Sequence, residues 1–224
     1  MTPRLTGTLL ILAAVLANVA FTALGSTFNY PDVLDEPATE VLARFRAHEG
    51  EAAAWFSVLA LSAALLGPIA VGVGRLSRHR LMRIAVPVGI AAAVVQVIGL
   101  LRWPLLVPGF AADGDTGGFR LAGDVLGTAI GETVGYALTA AWTVLVIVAL
   151  DRRFAGRWFT VLGGTAAALV AAGVVSPLGL PVIDDANFIG YVLWSVWLVV
   201  FGGMLLVRAR RFATPGAREA AVTS

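Results

Sequence analysis

The sequence lacks cysteine and lysine and is poor in charge of either sign. Without cysteine, the chain can form neither a disulfide nor a thiolate metal site. All 16 basic residues are arginine, and 13% of the 224 residues are charged, against about 25% in ordinary soluble domains. The formal net charge of +2 is too small to indicate a nucleic-acid partner. We therefore expect neither a soluble domain nor nucleic-acid binding.

Apolar residues dominate the chain: they make up 58% of it, and the mean hydropathy is +0.87. About 20 helical residues cross a hydrocarbon core of about 30 Å, and lipid requires each segment to pair its own backbone groups. The sequence therefore predicts an all-α six-transmembrane helix bundle, a single domain over residues 1–211, with a flexible cytoplasmic tail over residues 212–224. The predicted spans lie near residues 5–26, 51–74, 84–104, 124–150, 158–178 and 187–207.

The arginines predict the orientation of these spans. The side that holds both termini carries 12 of the 16 arginines and only two of the 14 acidic residues. Because arginine-rich loops stay on the cytoplasmic side, we expect the N- and C-termini in the cytoplasm. Residues 1–25 could instead be a secretory signal, but their apolar run exceeds the usual length of about 7–15 residues. The sequence thus predicts a multi-pass protein of the cell membrane.

Two of the predicted spans resemble each other. Residues 132–142 (ETVGYALTAAW) align without gaps on residues 187–197 (NFIGYVLWSVW), with Gly, Tyr, Leu and Trp at matching positions. A weaker third copy begins at Glu51, with Trp55 four residues later. These matches predict three similar helical hairpins rather than two inverted halves.

The two long connections on the arginine-poor side differ from each other. An amphipathic helix is predicted over residues 37–48, lying flat on the outer membrane surface or over the mouth of the bundle. Residues 105–123, with Gly109, Gly114, Gly117 and Gly118, are expected to form a looser loop. Within the second span, Pro68 is expected to kink the helix.

Polar side chains inside spans are costly, so they indicate either partners or a function. They concentrate in the outer half of the bundle, whereas the inner half is close to pure Ala, Val, Leu and Gly. Glu132 lies about 12 Å below the outer end of the fourth span, at a rise of about 1.5 Å per residue. The sequence predicts an outward-facing polar and aromatic cavity, with Glu132 as its candidate catalytic acid. The predicted lining residues are Asn18, Glu51, Trp55, Gln96, Arg102, Trp103, Tyr136, Asn187, Tyr191 and Trp194.

Glycine recurs every four residues along the fourth span. The repeat comprises Gly123, Gly127, Gly131 and Gly135. Such a pattern lets a neighbouring helix approach the backbone closely, so this span is expected to be central. The same glycine-rich face could alternatively form a homo-oligomer.

The candidate site residues also have structural interpretations. Arg102 and Glu132 could form an ion pair between the third and fourth spans, or Glu132 could be a solvated residue at the mouth. Arg102-Trp103 at a helix end is also typical of interfacial anchoring. His48 and His79 are isolated in loops, and no nucleotide- or metal-binding motif is present. We therefore expect no metal and no cofactor.

The first long connection carries a specific motif. It consists of residues 28–34 (FNYPDVL), followed by residues 36–37 (EP) and 40–42 (EVL). With these residues the sequence resembles a family of small multi-pass bacterial membrane proteins, common in actinobacteria, that is catalogued as a domain of unknown function. The resemblance covers most of the chain in layout and length. It implies the topology but supplies no activity and no site residues.

Three functions are compatible with the sequence. The first is a non-enzymatic protein that binds a membrane lipid, a small apolar molecule or a partner in the outer cavity. The second is an intramembrane enzyme acting on an isoprenoid or lipid, such as a proton-initiated cyclase or isomerase, with Glu132 as general acid. Its aromatic residues would stabilise cationic intermediates. A proton-coupled transporter is the least favoured, because the inner half lacks polar residues. Whether the protein is an enzyme stays open.

Overall fold

The computed structural model describes residues 1–150 and 152–211, and these residues form helices and no β-strand. The predicted tail at residues 212–224 lies outside the described residues. Six helical segments are long and apolar enough to cross a membrane, which confirms the predicted six-span bundle. The chain is thus a multi-pass helical membrane protein. The spans, first to sixth, are Pro3–Phe28, Glu49–Gly74, Arg80–Asp113, Thr116–Leu150, Phe154–Leu178 and Val182–Ala209.

The spans alternate in direction, so their ends meet in two groups. Arg4 donates a hydrogen bond to the Ala209 carbonyl at 3.2 Å, and Ser77 donates one to the Ala149 carbonyl at 3.1 Å. We call this end of the bundle, where the first span begins and the sixth ends, the arginine end. The opposite end, which holds the connection between the first two spans, is the capped end. Which side of the membrane each end faces stays a prediction.

Consecutive spans pack against each other, and the sixth packs against the first, which closes the bundle. The main hydrophobic core lies toward the arginine end, where Trp142, Trp197 and Phe201 are fully buried. Glycines allow the closing contact: a Cβ at Gly7 would lie 2.7 Å from the Gly202 carbonyl oxygen. Small residues at this contact therefore set the distance between the first and sixth spans.

The hairpin of the third and fourth spans resembles that of the fifth and sixth in its packing. A Cβ at Gly89 would lie 2.7 Å from Nε1 of Trp142. A Cβ at Gly163 would lie 2.6 Å from Nε1 of Trp197. Trp142 and Trp197 occupy matching positions of the aligned segments, and their ring centroids are 6.1 Å apart. In both hairpins, a glycine of the odd span makes room for the tryptophan of the even span.

The second span bends near its middle. Its helices, Glu49–Ala64 and Leu66–Gly74, meet at Leu65. A proline cannot donate the usual helical hydrogen bond, and its ring clashes with the carbonyl four residues earlier, which for Pro68 is that of Ala64. The kink predicted from Pro68 is therefore confirmed.

The fourth span departs from a regular α-helix in its first half. Residues Gly123–Val134 form a π-helix with a wider turn, and Gly135–Leu150 continue as an α-helix. The π-helical segment includes Glu132 and three of the four regularly spaced glycines. Because π-helical turns are rare and occur often at functional sites, this segment is the natural place to search for a site.

Residues 105–123 are more regular than the sequence predicts. They contain two short helices, Val107–Asp113 and Thr116–Ala122. Gly114 ends the first helix with a φ of 68°, and Asp115 caps the second by accepting a hydrogen bond from the Gly118 amide at 2.8 Å. The prediction of a looser loop is wrong, because Gly114 is a typical helix-ending residue and the next residue, Asp115, is a typical helix-starting one.

Candidate functional site

A short helix, Ala38–Ala47, lies over the capped end of the bundle, and we call it the cap helix. Its apolar side chains Val41, Leu42 and Phe45 are buried, whereas Glu40 and Arg44 are exposed. The buried face belongs to one hydrophobic cluster with residues of the first three spans. The cap helix therefore covers the bundle instead of lying apart from it on the membrane surface.

Beneath the cap helix, aromatic rings fill the space between the first three spans. Trp103 is their centre: it is 1% exposed, and the Phe56 ring stacks on it at 4.5 Å with an interplanar angle of 3°. We call this group the aromatic roof; it consists of Phe28, Tyr30, Phe45, Phe56, Trp103 and Phe119. Trp55 packs at its edge. Trp103 thus lies within the aromatic roof, and Trp55 lies beside it.

Arg102 places a charged group next to the aromatic roof. The side chain is buried, donates a hydrogen bond to the Gly99 carbonyl at 2.6 Å, and lies 5.3 Å from the centroid of the Trp103 ring. On the fourth span, a Cβ at Gly127 would lie 2.7 Å from the guanidinium carbon. The missing side chain at Gly127 therefore leaves the space that the guanidinium occupies.

Tyr30, in the connection after the first span, joins the aromatic roof to the charged groups. Its ring packs edge-on against Phe56 at 5.2 Å. Burial and then the negative charge of Glu132 raise the pKa of Tyr30 to about 12, while the positive charge of Arg102 opposes the rise. Tyr30 thus lies within electrostatic range of both Arg102 and Glu132, and we group the three residues as parts of one candidate site. Tyr30 is not among the residues predicted to line the cavity, although the motif at residues 28–34 contains it.

The Tyr136 and Tyr191 rings meet edge-on at 5.5 Å, and Tyr136 lies one turn beyond Glu132 on the fourth span. The buried Asn187 donates a hydrogen bond to the Val170 carbonyl at 2.9 Å. A Cβ at Gly173 would collide with both Asn187 and Tyr136, so this glycine makes room for them. Together with the charged groups and the phenol described above, these residues form what we call the polar site. It consists of Tyr30, Arg102, Glu132, Tyr136, Asn187 and Tyr191.

One protein family matches most of the chain. A family described as a domain of unknown function, DUF4386, matches residues 5–202. The chain belongs to the DUF4386 family. This confirms the resemblance seen in the sequence, and the match includes all of the polar site. No curated protein and no solved structure matches the chain.

Deeper in this DUF4386 bundle, hydrogen bonds tie three spans together. Gln96 of the third span donates to the Thr139 hydroxyl at 2.7 Å, and Trp194 of the sixth donates to the Thr143 hydroxyl at 2.8 Å. Thr143 in turn donates to the Thr139 carbonyl at 2.9 Å. The structure therefore brings Gln96 and Trp194 together through two buried threonines of the fourth span.

Two predicted lining residues lie away from the polar site. Asn18 is exposed on the first span, and its amide donates to the Ala14 carbonyl of the same helix at 2.7 Å. Glu51 is exposed in the first turn of the second span. The two side chains therefore face the surroundings of the DUF4386 bundle.

The regularly spaced glycines of the fourth span pack within the chain. A Cβ at Gly131 would lie 2.9 Å from the Gly99 Cα, and one at Gly135 would lie 3.0 Å from the Gln96 Cγ. At Gly123, by contrast, a Cβ would meet no atom within 4 Å. Most of this face therefore serves the contact with the third span, and the homo-oligomer stays a prediction.

Across residues 1–150 and 152–211, no group of three or more His, Cys, Asp or Glu side chains could hold a metal ion. The polar site itself presents carboxyl, phenol, amide and guanidinium groups.

Proposed function

We propose that this protein binds one molecule of a lipid or a small apolar compound at the polar site, in the capped half of the bundle. Glu132 would contact a donor on the polar head of the ligand, such as a hydroxyl or amino group. The rings of Tyr136 and Tyr191 would contact its apolar body. A protein partner at the same half is the alternative occupant.

The observation that carries this proposal is the convergence of costly polar groups from separate parts of the chain. Ionisable side chains within membrane spans are rare and generally mark a function. Arg102 of the third span and Glu132 of the fourth act on Tyr30 of the first connection, and Asn187 of the sixth lies beside Tyr136. A packing role alone would not require four segments to bring such groups together.

The degree of burial supports Glu132 as the ligand contact. Arg102 is buried and is held by the Gly99 carbonyl. Glu132 is only partly buried and lies on a π-helical turn. A partly exposed carboxyl group within a span can contact a ligand without first breaking a hydrogen bond to the helix backbone, such as the one that Arg102 makes. Next to Asn187, the exposed Phe188 presents an apolar surface to the lipid.

The arginine distribution supports a location and an orientation for the site. Arginine-rich loops stay in the cytoplasm, so the arginine end would face the cytoplasm and the capped end would face outward. In a bacterial cytoplasmic membrane, the polar site would then lie in the outer leaflet. A ligand of that leaflet could enter sideways between the spans.

Photo-crosslinking tests the proposal directly. Cells that produce the full chain are grown with a diazirine-bearing fatty acid and irradiated, and the labelled peptides of the purified protein are mapped. We expect label in the segments around Glu132–Tyr136 and Asn187–Tyr191. Replacing Glu132→Gln should strongly reduce this label, because the ligand loses its polar anchor.

Asp124→Asn is the matched control for this experiment. It neutralises an exposed acid on the same π-helical segment, eight residues before Glu132. Label should stay at the wild-type level in this variant. Label spread evenly over lipid-facing residues, or an equal loss in both variants, would contradict binding at the polar site.

A second function, catalysis on an isoprenoid or lipid, has one observation in its favour. The paired rings of Tyr136 and Tyr191 lie one turn from a carboxyl group, which is the arrangement needed to donate a proton and stabilise a cation. Under this function, Glu132→Gln would keep the ligand but leave it unconverted. Mass spectrometry of the bound molecule from wild type and variant distinguishes conversion from simple binding.

A further inference from the structure

An open groove of about 440 Å³ lies on the sixth span near the arginine end, far along the helix from the polar site. Four of its lining residues are uncharged and the fifth is Arg208; the lining comprises Val200, Gly203, Met204, Val207 and Arg208. The groove therefore combines an apolar wall with one charged end.

Gly203 forms the open part of this groove. A Cβ at Gly203 would meet no atom within 4 Å, whereas one at the adjacent Gly202 would lie 2.5 Å from the Gly7 carbonyl oxygen. The two neighbouring glycines thus have different roles. Gly202 permits the first span to pack closely, and Gly203 leaves space on the lipid-facing side.

The charged end of the groove lies against the fifth span. The Arg208 guanidinium donates a hydrogen bond to the Phe154 carbonyl and lies 4.3 Å from the centroid of the Phe154 ring. Arg4 of the first span donates to the Ala209 carbonyl, directly after Arg208. Two guanidinium groups therefore lie at the end of the sixth span.

We propose that this groove binds an anionic phospholipid, with an acyl chain along Val200, Gly203 and Val207 and its phosphate paired with Arg208. Guanidinium groups form short, charge-assisted and often bidentate hydrogen bonds with phosphate. A basic residue near the surface attracts anionic lipid. Along the sixth span, the groove begins with apolar residues and ends at the cationic Arg208. An acyl chain and its phosphate headgroup follow each other in the same order.

Charge favours a lipid over a second copy of the chain as the occupant. If the grooves of two parallel copies faced each other across a two-fold axis, their Arg208 side chains would lie close together. Like charges at short range repel, whereas a phosphate neutralises the same guanidinium. The second copy is therefore an outcome that the experiment must exclude.

Native mass spectrometry of the full chain in mild detergent tests this proposal. The protein is incubated with equimolar phosphatidylglycerol and diacylglycerol of identical acyl chains, since only the first carries a phosphate. We expect the wild type to retain phosphatidylglycerol with a preference of roughly tenfold, the ratio that one charge-assisted hydrogen bond supports. Arg208→Gln should remove the preference, and Gly203→Leu, which fills the groove, should reduce retained phosphatidylglycerol by a similar factor.

Two controls match these variants. Arg83→Gln removes another exposed arginine of the arginine end, and Gly109→Leu adds bulk at another glycine whose Cβ position is free of neighbours. Both should behave as wild type. Equal retention of the two lipids by wild type, or an unchanged preference in Arg208→Gln, would overturn the proposal. So would full retention in Gly203→Leu, or a wild-type dimer that this substitution converts to a monomer.

Discussion

At the scale of single residues, the capped half accommodates charged and polar side chains because neighbouring glycines leave space for them. Gly127 leaves space for the Arg102 guanidinium, and Gly173 leaves space for Asn187 and Tyr136. Tyr30 then places a phenol under the influence of both Arg102 and Glu132. The identity of the glycines is therefore as important to the polar site as that of its polar residues.

The raised pKa of Tyr30 predicts a specific dependence on pH. Its pKa is about 12 in the folded protein, against an ordinary value of 10.0. Between these values the unfolded chain loses the proton while the folded chain keeps it, so stability should fall as the pH rises from about 10 to about 12. Tyr30→Phe should lose less stability over this window. Thermal unfolding in detergent at several pH values measures the difference, and identical pH profiles of the two proteins would contradict the assignment.

At the scale of helices, the contact between the third and fourth spans depends on backbone approach. Gly99 and Gly131 face each other so closely that a Cβ on either would lie within 3 Å of the other's Cα. This contact lies within the π-helical segment that carries Glu132. The position of the carboxyl group therefore depends on glycines that never touch it.

A pair of alanine substitutions tests this dependence. Gly131→Ala should lower the free energy of unfolding by about 1–3 kcal/mol, because the added methyl group has backbone atoms in its way. Gly123→Ala, in the same segment, meets open space and should be neutral or slightly stabilising, since alanine favours helix over glycine. Chemical or thermal unfolding in detergent gives both values. Equal effects would mean that the close packing at Gly131 is not as described.

At the scale of the whole molecule, the bundle has two unlike ends. The capped end carries the cap helix, the aromatic roof and the polar site. The arginine end carries the main hydrophobic core, in which the indole nitrogens of Trp142 and Trp197 have no hydrogen-bond partner among the described residues. A function that resides in the polar site would thus use one half of the membrane, and the other half would hold the spans together.

The orientation of these two ends is testable because the chain contains no cysteine. Ala112→Cys introduces an exposed thiol at the capped end, and His79→Cys introduces one at the arginine end. A membrane-impermeant maleimide should label the first in intact spheroplasts and the second only after permeabilisation, because arginine-rich loops stay inside. The reverse pattern would place the polar site in the cytoplasmic leaflet.

The sequence predicts the spans well because lipid imposes their length and composition, and it predicts the close packing of Gly131 because small residues at regular spacing are informative. It also identifies Glu132 and Tyr136, since polar residues in spans are conspicuous. It misses Tyr30, which lies outside the spans and comes within electrostatic range of Glu132 only through the fold. It also places Asn18 with the lining residues, although depth along a helix does not reveal which way a side chain faces.

Recovery of the bound molecule tests the central claim most directly. Wild-type protein purified in detergent is extracted with organic solvent, and the extract is quantified by liquid chromatography and mass spectrometry against the bulk membrane lipids. Binding at the polar site predicts about one equivalent of a single enriched species, retained in Asp124→Asn and lost in Glu132→Gln. An extract with the composition of the bulk membrane, the same for all three proteins, would contradict it.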